Sequence, residues 1–369
     1  MTPKERLLSA IQRQSVDRVP ANIYYYIPQF YDAHLAPQLA QYADPFEAKL
    51  ASQTMFGFDP LIGLGQGGLP WHIQDPGRWD VRVEERQSNG DTLRTYTIDT
   101  PAGSLRTVYG ERPGHSGWQI EPLIKEADDL DRLAYLPVDP IDGERIAQRW
   151  AQMGERGLGW LGVYGIWQQA CYVRGMTQMA MDPYLDPGWT HTFLGRLCDH
   201  LAAQAEILCR TPVETFYINE SYVGMGLSRQ VFDAFVRPYD QRLIDIAKEA
   251  GKYVLYHDCG RADALLESFV EMGIDYLEPV TPIAAGGDLD PADVVCRIGD
   301  KVAIRGGVNH RVMTYGTPEE VREEVRHCLD VFAPGGGYVL SPSAAINLDV
   351  PYANLEAFAQ AAQAYCGRF

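Results

Sequence analysis

From about residue 141 onward the chain repeats one unit, a helical stretch followed by a short apolar run, and no other feature limits its fold as much. IDGERIAQRWAQMG leads into WLGVYGIW, TFLGRLCDHLAAQAEILCR into ETFYINES, and VFDAFVRPYDQRLIDIAKEAG into KYVLYHDCG. The rhythm continues with ADALLESFVEMG before IDYLEPV, PADVVCRIGD before KVAIRGGVN, and PEEVREEVRHCLDVF before GGGYVLSPS. A helix between successive strands returns the chain to the same end of the sheet, so the strands pair in parallel and are covered by the helices. The number of units predicts an α/β fold, a closed (β/α)8 TIM barrel, with residues 1–369 forming one domain. A doubly wound sheet is the alternative. Against it, no Gly-x-Gly-x-x-Gly opens a helix after a strand, and Gly335, Gly336 and Gly337 precede a strand instead.

Before the repeats the pattern differs. Thr2, Pro3 and Glu5 have the order of a capping box with proline at the first helical position, and Leu7, Leu8 and Ile11 follow at helical spacing, so the chain is expected to open on a short amphipathic helix. VDRVPANIYYYIPQFY is dense in aromatic residues and is read as chain entering or crossing a pocket mouth, or as plain tyrosine packing. Residues 78 to 110 alternate β-formers around Asn89-Gly90 and break again at Pro101-Ala102-Gly103, which predicts an antiparallel hairpin or meander inserted into the main scaffold.

The 49 acidic residues outweigh 32 basic ones to give a net charge of −17, which opposes association with a phosphate backbone or an anionic membrane. No nucleic-acid or membrane partner is expected. Seven cysteines, at 171, 198, 209, 259, 296, 328 and 366, are scattered without the spacing of a disulfide framework. With no leader-like start and no membrane-length apolar run, the cytoplasm is the expected location.

In a parallel barrel the chemistry collects where the strands end. The residues there are Glu220 after FYIN, His257 and Cys259 after YVLY, Glu278 after IDYL, Asn309 after AIRGGV, and Ser341 and Ser343 after YVL. Alternate residues of a strand share a face, so His257 and Cys259 are placed to converge on one zinc ion, with Glu220 as an oxygen ligand and one position left open for substrate. Such an ion lowers the pKa of a bound thiol or water. Asp258 orients a ligand or shapes the turn, Glu278 serves as general base, orienter or structural acceptor, and Asn309 and Ser343 offer hydrogen bonds to a pocket. Two further readings are a Cys259–His257 nucleophile and base, and a Glu220–Glu278 carboxylate pair for glycoside hydrolysis. A barrel that binds a small molecule without turning it over is a third.

Taken together, TPKERLLSAIQRQSVDRVP, YHDCG, GTPEEVREEVRHCLDVFAPGGGYVLSPS and DVPYANLEAFAQAAQAY resemble the uroporphyrinogen decarboxylase superfamily, and within it the zinc-dependent, corrinoid-linked methyltransferase branch. The decarboxylases carry an arginine-containing segment near their beginning that grips porphyrinogen carboxylates, where this chain has IYYYIPQFY at 23 to 31. The resemblance implies zinc held by Glu220, His257 and Cys259, with Ser341 or Ser343 standing where the family has a later cysteine. It implies methyl transfer from a small O-methyl compound, an aryl methyl ether by slight preference, or an N-methyl compound. The acceptor is a corrinoid (cobalamin) that arrives free or on a separate corrinoid protein. The alternatives it leaves are methylcobamide:thiol methyl transfer and a metal-free decarboxylase or lyase. It allows a homodimer, which no pattern in the chain requires.

Overall fold

The computed structural model describes residues 1–67, 81–112, 117–135 and 141–365. The first helix, Pro3–Ile11, starts on the expected box: the Thr2 hydroxyl accepts from the Glu5 backbone N–H and the Glu5 carboxylate accepts from that of Thr2. Its buried Leu7, Ala10 and Ile11 pack with Leu61, Leu158, Tyr217, Leu255, Tyr276, Ala303 and Val339, one or more residues from each strand of the main sheet, so this helix plugs one end of the sheet's concave side.

That sheet has seven parallel strands in sequence order: β1 (Leu61–Gly67), β6 (Leu158–Tyr164), β7 (Thr215–Asn219), β8 (Tyr253–His257), β9 (Tyr276–Val280), β10 (Ala303–Val308) and β11 (Tyr338–Pro342). It is an open, curled half-barrel, which corrects the expected closed (β/α)8 barrel. Between β11 and β1 there is no strand among the described residues. Ala21 makes a one-residue parallel bridge to Leu340 and accepts from the Asp59 N–H, and the chain then leaves the ladder. The reason lies in RVPANIYYYIP: Pro20 has no N–H to donate, and Pro28 starts a helical turn, so this stretch cannot sustain a ladder. Helices cover the outer face, where most of the core lies.

The insertion is a meander of four antiparallel strands, β2 (Val81–Ser88), β3 (Asp91–Thr100), β4 (Gly103–Glu111) and β5 (Trp118–Glu121). Asn89 and Gly90 form the predicted two-residue turn, both at positive φ, with Ser88 paired to Asp91. The sheet runs past the expected end at 110, and residues 78 to 80 of that expectation, like Cys366, lie outside the described residues. The six described cysteines are free thiols. No helix among the described residues is long and apolar enough to cross a membrane.

Candidate functional site

Alternation along the strands builds the site in two layers. Leu255, Tyr276 and Ala303 belong to the apolar cluster that meets the first helix. Two residues further on, and therefore on the same face, stand His257, Glu278 and Arg305. The register sets His257 beside Glu278 across the β8–β9 pair. The result is a polar layer on top of an apolar one, all three groups buried.

Glu278 is the hub of that layer. Its Oε2 accepts from Arg305 Nη1 at 2.5 Å, and its Oε1 accepts from the Tyr217 hydroxyl at 2.7 Å and lies 3.2 Å from His257 Nδ1. Burial pushes this carboxyl up, but the Arg305 guanidinium and the His257 ring outweigh it and bring its pKa to about 2. On the other side of the ring, Cys259 Sγ lies 2.9 Å from His257 Nε2. Burial opposes charge on both partners, yet each favours the charged form of the other: the imidazole is raised and the thiol lowered. Tyr24 stacks on His257, with ring centroids 5.0 Å apart, and its hydroxyl is 3.1 Å from that of Tyr217. Tyr24, Tyr217, Glu278, His257 and Cys259 thus form one hydrogen-bonded row.

Beside this row lies a cavity of about 700 Å³. Glu278 and Arg305 stand in its wall with Tyr24, Tyr25, Tyr31 and Trp160, so the tyrosine-rich segment does face a pocket. Trp160 lies flat because Gly63 opposes it. A Cβ there would come within 2.6 Å of the indole.

The other predicted residues are placed differently. Both oxygens of Glu220 are engaged, Oε2 by the Trp167 N–H at 2.8 Å and Oε1 by that of Gln168 at 2.6 Å, so it caps the helix Ile166–Arg174. Asp240 accepts from the Ile166 N–H of the same turn and from the Tyr256 hydroxyl. Asn309 caps the helix His310–Tyr315 through the Arg311 N–H. Ser343 accepts from the His310 N–H at 3.3 Å and sits 3.2 Å from its ring, and Ser341 bonds to a backbone carbonyl. Asp258 turns away from the row and takes the Gly224 N–H. Gly224 packs so closely on this turn that a Cβ would fall 2.0 Å from the Cys259 carbonyl oxygen.

As they lie, these residues do not fit a zinc ion. Two ligands on tetrahedral zinc stand about 3.5 Å apart for bond lengths near 2.0 and 2.3 Å, whereas the Cys259–His257 separation of 2.9 Å is that of a direct hydrogen bond. Glu220 accepts a backbone N–H on each oxygen, and among the described residues no three His, Cys, Asp or Glu side chains form a group able to hold a metal.

Burial raises the Asp240 carboxyl to about 6, partly offset by its bonds to Tyr256 and Ile166, and burial with Asp240 as neighbour also raises Glu220. The folded chain therefore keeps a proton that the unfolded chain releases near the ordinary carboxyl value of 3.8. This contribution to stability is full below pH 3.8 and is lost as pH rises to about 6. Asp240→Asn, which keeps the acceptor for Ile166, is expected to remove on the order of 3 kcal/mol of that pH dependence. Urea unfolding of both proteins between pH 4 and 7 measures it; parallel curves would assign the dependence to other groups.

A family model described as uroporphyrinogen decarboxylase (URO-D) matches residues 159–365. The uroporphyrinogen decarboxylase of Trichodesmium erythraeum is 22% identical over 262 residues, covering 66% of this chain and 69% of that protein. That of Vibrio campbellii is 27% identical over 207 residues, covering 53% and 56%. The chain thus spans little more than half of the latter relative. Among solved structures, a methyltransferase from Methanosarcina mazei shares the fold with a TM-score of 0.64 at 16% identity, covering 98% of each chain. The family match begins after the tyrosine-rich segment and the inserted sheet.

Proposed function

From the premise that this chain belongs to the uroporphyrinogen decarboxylase family, we propose that it is an enzyme that removes carbon dioxide or a comparable leaving group from a small organic acid by proton transfer, without a metal. The row from Tyr24 to Cys259 carries this reading, because it joins a hydroxyl at the cavity wall to a buried acid–base reservoir through hydrogen bonds of 2.7 to 3.2 Å. In the reaction the bond between the substrate carbon and its carboxylate breaks, carbon dioxide leaves, and the electron pair left on carbon takes a proton from the Tyr24 hydroxyl. Tyr217, Glu278 and His257 pass a proton up the row to replace it. Arg305 fixes Glu278 and stands over the Tyr24 ring at 5.4 Å, so anchor and acid are neighbours.

The wall argues against a porphyrinogen. Lys49 and Arg305 are its cations among the described residues, and Asp32 and Glu278 oppose them, so it offers little to a large polycarboxylate. Incubation with carboxyl-labelled small acids, aliphatic and aromatic, tests the reading: release of labelled carbon dioxide is expected from at least one of them, and none from any would sink it.

Methyl transfer to a corrinoid is the competing reading, and metal content separates the two. Tag-free protein purified without chelator is expected to hold well under one equivalent of zinc by plasma mass spectrometry, with Cys259→Ser no lower. Stoichiometric zinc that disappears in Cys259→Ser would restore the zinc-dependent reaction and the corrinoid protein as its partner.

A further inference from the structure

We propose that the cavity binds a small aromatic monocarboxylate, its carboxylate on Arg305 and its ring against Trp160 and the tyrosines of residues 23 to 31; this deepens the reading above and rests on it. Arg305 supplies the first argument. Its Nε donates to Asn22 Oδ1 at 2.8 Å and its Nη1 to Glu278, while Nη2 has no hydrogen bond among the described residues. The residue lines the cavity, so a planar donor edge is left for an acceptor in that space, and a carboxylate is the group such an edge fits best.

The charges limit the ligand to one such group. Glu278 is engaged with Arg305, Tyr217 and His257, and Asp32 stands at the rim with Lys49, which forms no ion pair among the described residues. A first anion gains from the Nη2 edge and from Lys49. A second would meet Asp32 or Glu278 with no cation left to offset it.

The walls set the rest of the molecule. The Trp160 indole is held between Gly63 and the Tyr217 ring, whose centroid is 4.5 Å away at an interplanar angle of 26°. It faces the cavity together with Tyr25, which is 47% exposed. The exposed Tyr25 ring and the edge of the indole, on a space of about 700 Å³, favour stacking and edge-to-face contact with a planar ring over an aliphatic chain of equal size. Tyr24, Tyr25, Tyr31, Lys49 and Gly63 all precede residue 159, where the family match begins, so this wall belongs to the part of the chain least tied to the porphyrinogen enzymes.

The test is a titration of the full chain with benzoate, benzyl alcohol, cyclohexanecarboxylate and acetate, followed by tryptophan fluorescence and calorimetry. Benzoate is expected to bind at least tenfold more tightly than each of the other three. Its affinity is expected to fall at least threefold in Lys49→Gln and in Tyr25→Ala, whose side chains are solvent-facing, so that folding is not at stake. Equal binding of benzoate and benzyl alcohol, or unchanged affinity in both variants, overturns the proposal. Preferred binding of benzoate with no carbon dioxide released from any labelled acid would leave the ligand class standing and remove the lysis reading. Release from an aliphatic acid without preference for benzoate would do the reverse.

Discussion

Arg305→Leu is expected to lower the free energy of unfolding by about 3–5 kcal/mol, because it leaves Glu278 buried without the guanidinium and with the His257 ring as its remaining positive neighbour. Asn22 aggravates the loss. Its Oδ1 accepts from Arg305 Nε, and its Nδ2 is already buried without a partner, so the substitution strands both ends of one amide. Replacing the pair together, Arg305→Leu with Glu278→Leu, is expected to be less damaging than Arg305→Leu alone, since two apolar groups need no compensation. Urea unfolding at pH 7 reads both. A loss under about 1 kcal/mol in the single variant, or no difference between single and double, would mean that the pair is not held as an ion pair.

The same pair sets an acid limit. A carboxyl held at about 2 in the folded chain against an ordinary value of 4.5 stabilises the fold above pH 4.5, and that stability is lost as pH falls toward 2. The advantage of the wild-type chain over Arg305→Leu should therefore shrink across that window. Asp240 acts in the opposite sense at higher pH, so comparison at a single pH would mix the two.

How far the site is legible in the sequence depends on where each side chain finds its partner. His257, Cys259 and Glu278 end apolar runs, and strand alternation with parallel register is enough to bring them together. Arg305 escapes a search confined to strand exits because it lies inside AIRGGV. Counting by two from Ala303, as from Leu255 to His257, reveals an arginine on the concave face. Asn309 stands before HRVMTY in the position of a helix cap, a local signal that competes with any pocket role. Glu220 is different: the N–H groups it satisfies belong to Trp167 and Gln168, more than fifty residues away, and no pattern near FYINES points to them.

The fold shows the same division. Local signals, the Thr2–Glu5 box and the Asn89-Gly90 turn, form as the residues predict. Closure of the sheet does not, because counting helix–strand units says nothing about the last pairing. There two prolines and three consecutive tyrosines replace a ladder with two isolated bridges, Ala21 to Leu340 and Tyr26 to Ile346, and the same segment supplies Tyr24, Tyr25, Tyr26 and Pro28 to the cavity wall. The feature that breaks the barrel pattern is thus one that lines the cavity.

Tyr24→Phe follows from that arrangement and is expected to lower kcat by about 10²–10⁴-fold on whichever labelled acid releases carbon dioxide, with KM nearly unchanged. The ring that stacks on His257 and under Arg305 is kept, so binding and packing should persist; only the hydroxyl that meets the substrate and joins Tyr217 is lost. The cost in stability should be about 1 kcal/mol, that of one hydrogen bond. Tyr217→Phe cuts the row one step deeper and leaves Tyr24 in place as the acid. It should therefore slow resupply of the proton, giving a smaller fall in kcat and a solvent isotope effect that differs from that of the wild-type enzyme. A purely structural role for the two tyrosines predicts another pattern: Tyr217→Phe, which breaks a fully buried bond to Glu278, would then be the more harmful to activity and stability alike. Finding Tyr24→Phe fully active would place the proton donor elsewhere on the cavity wall.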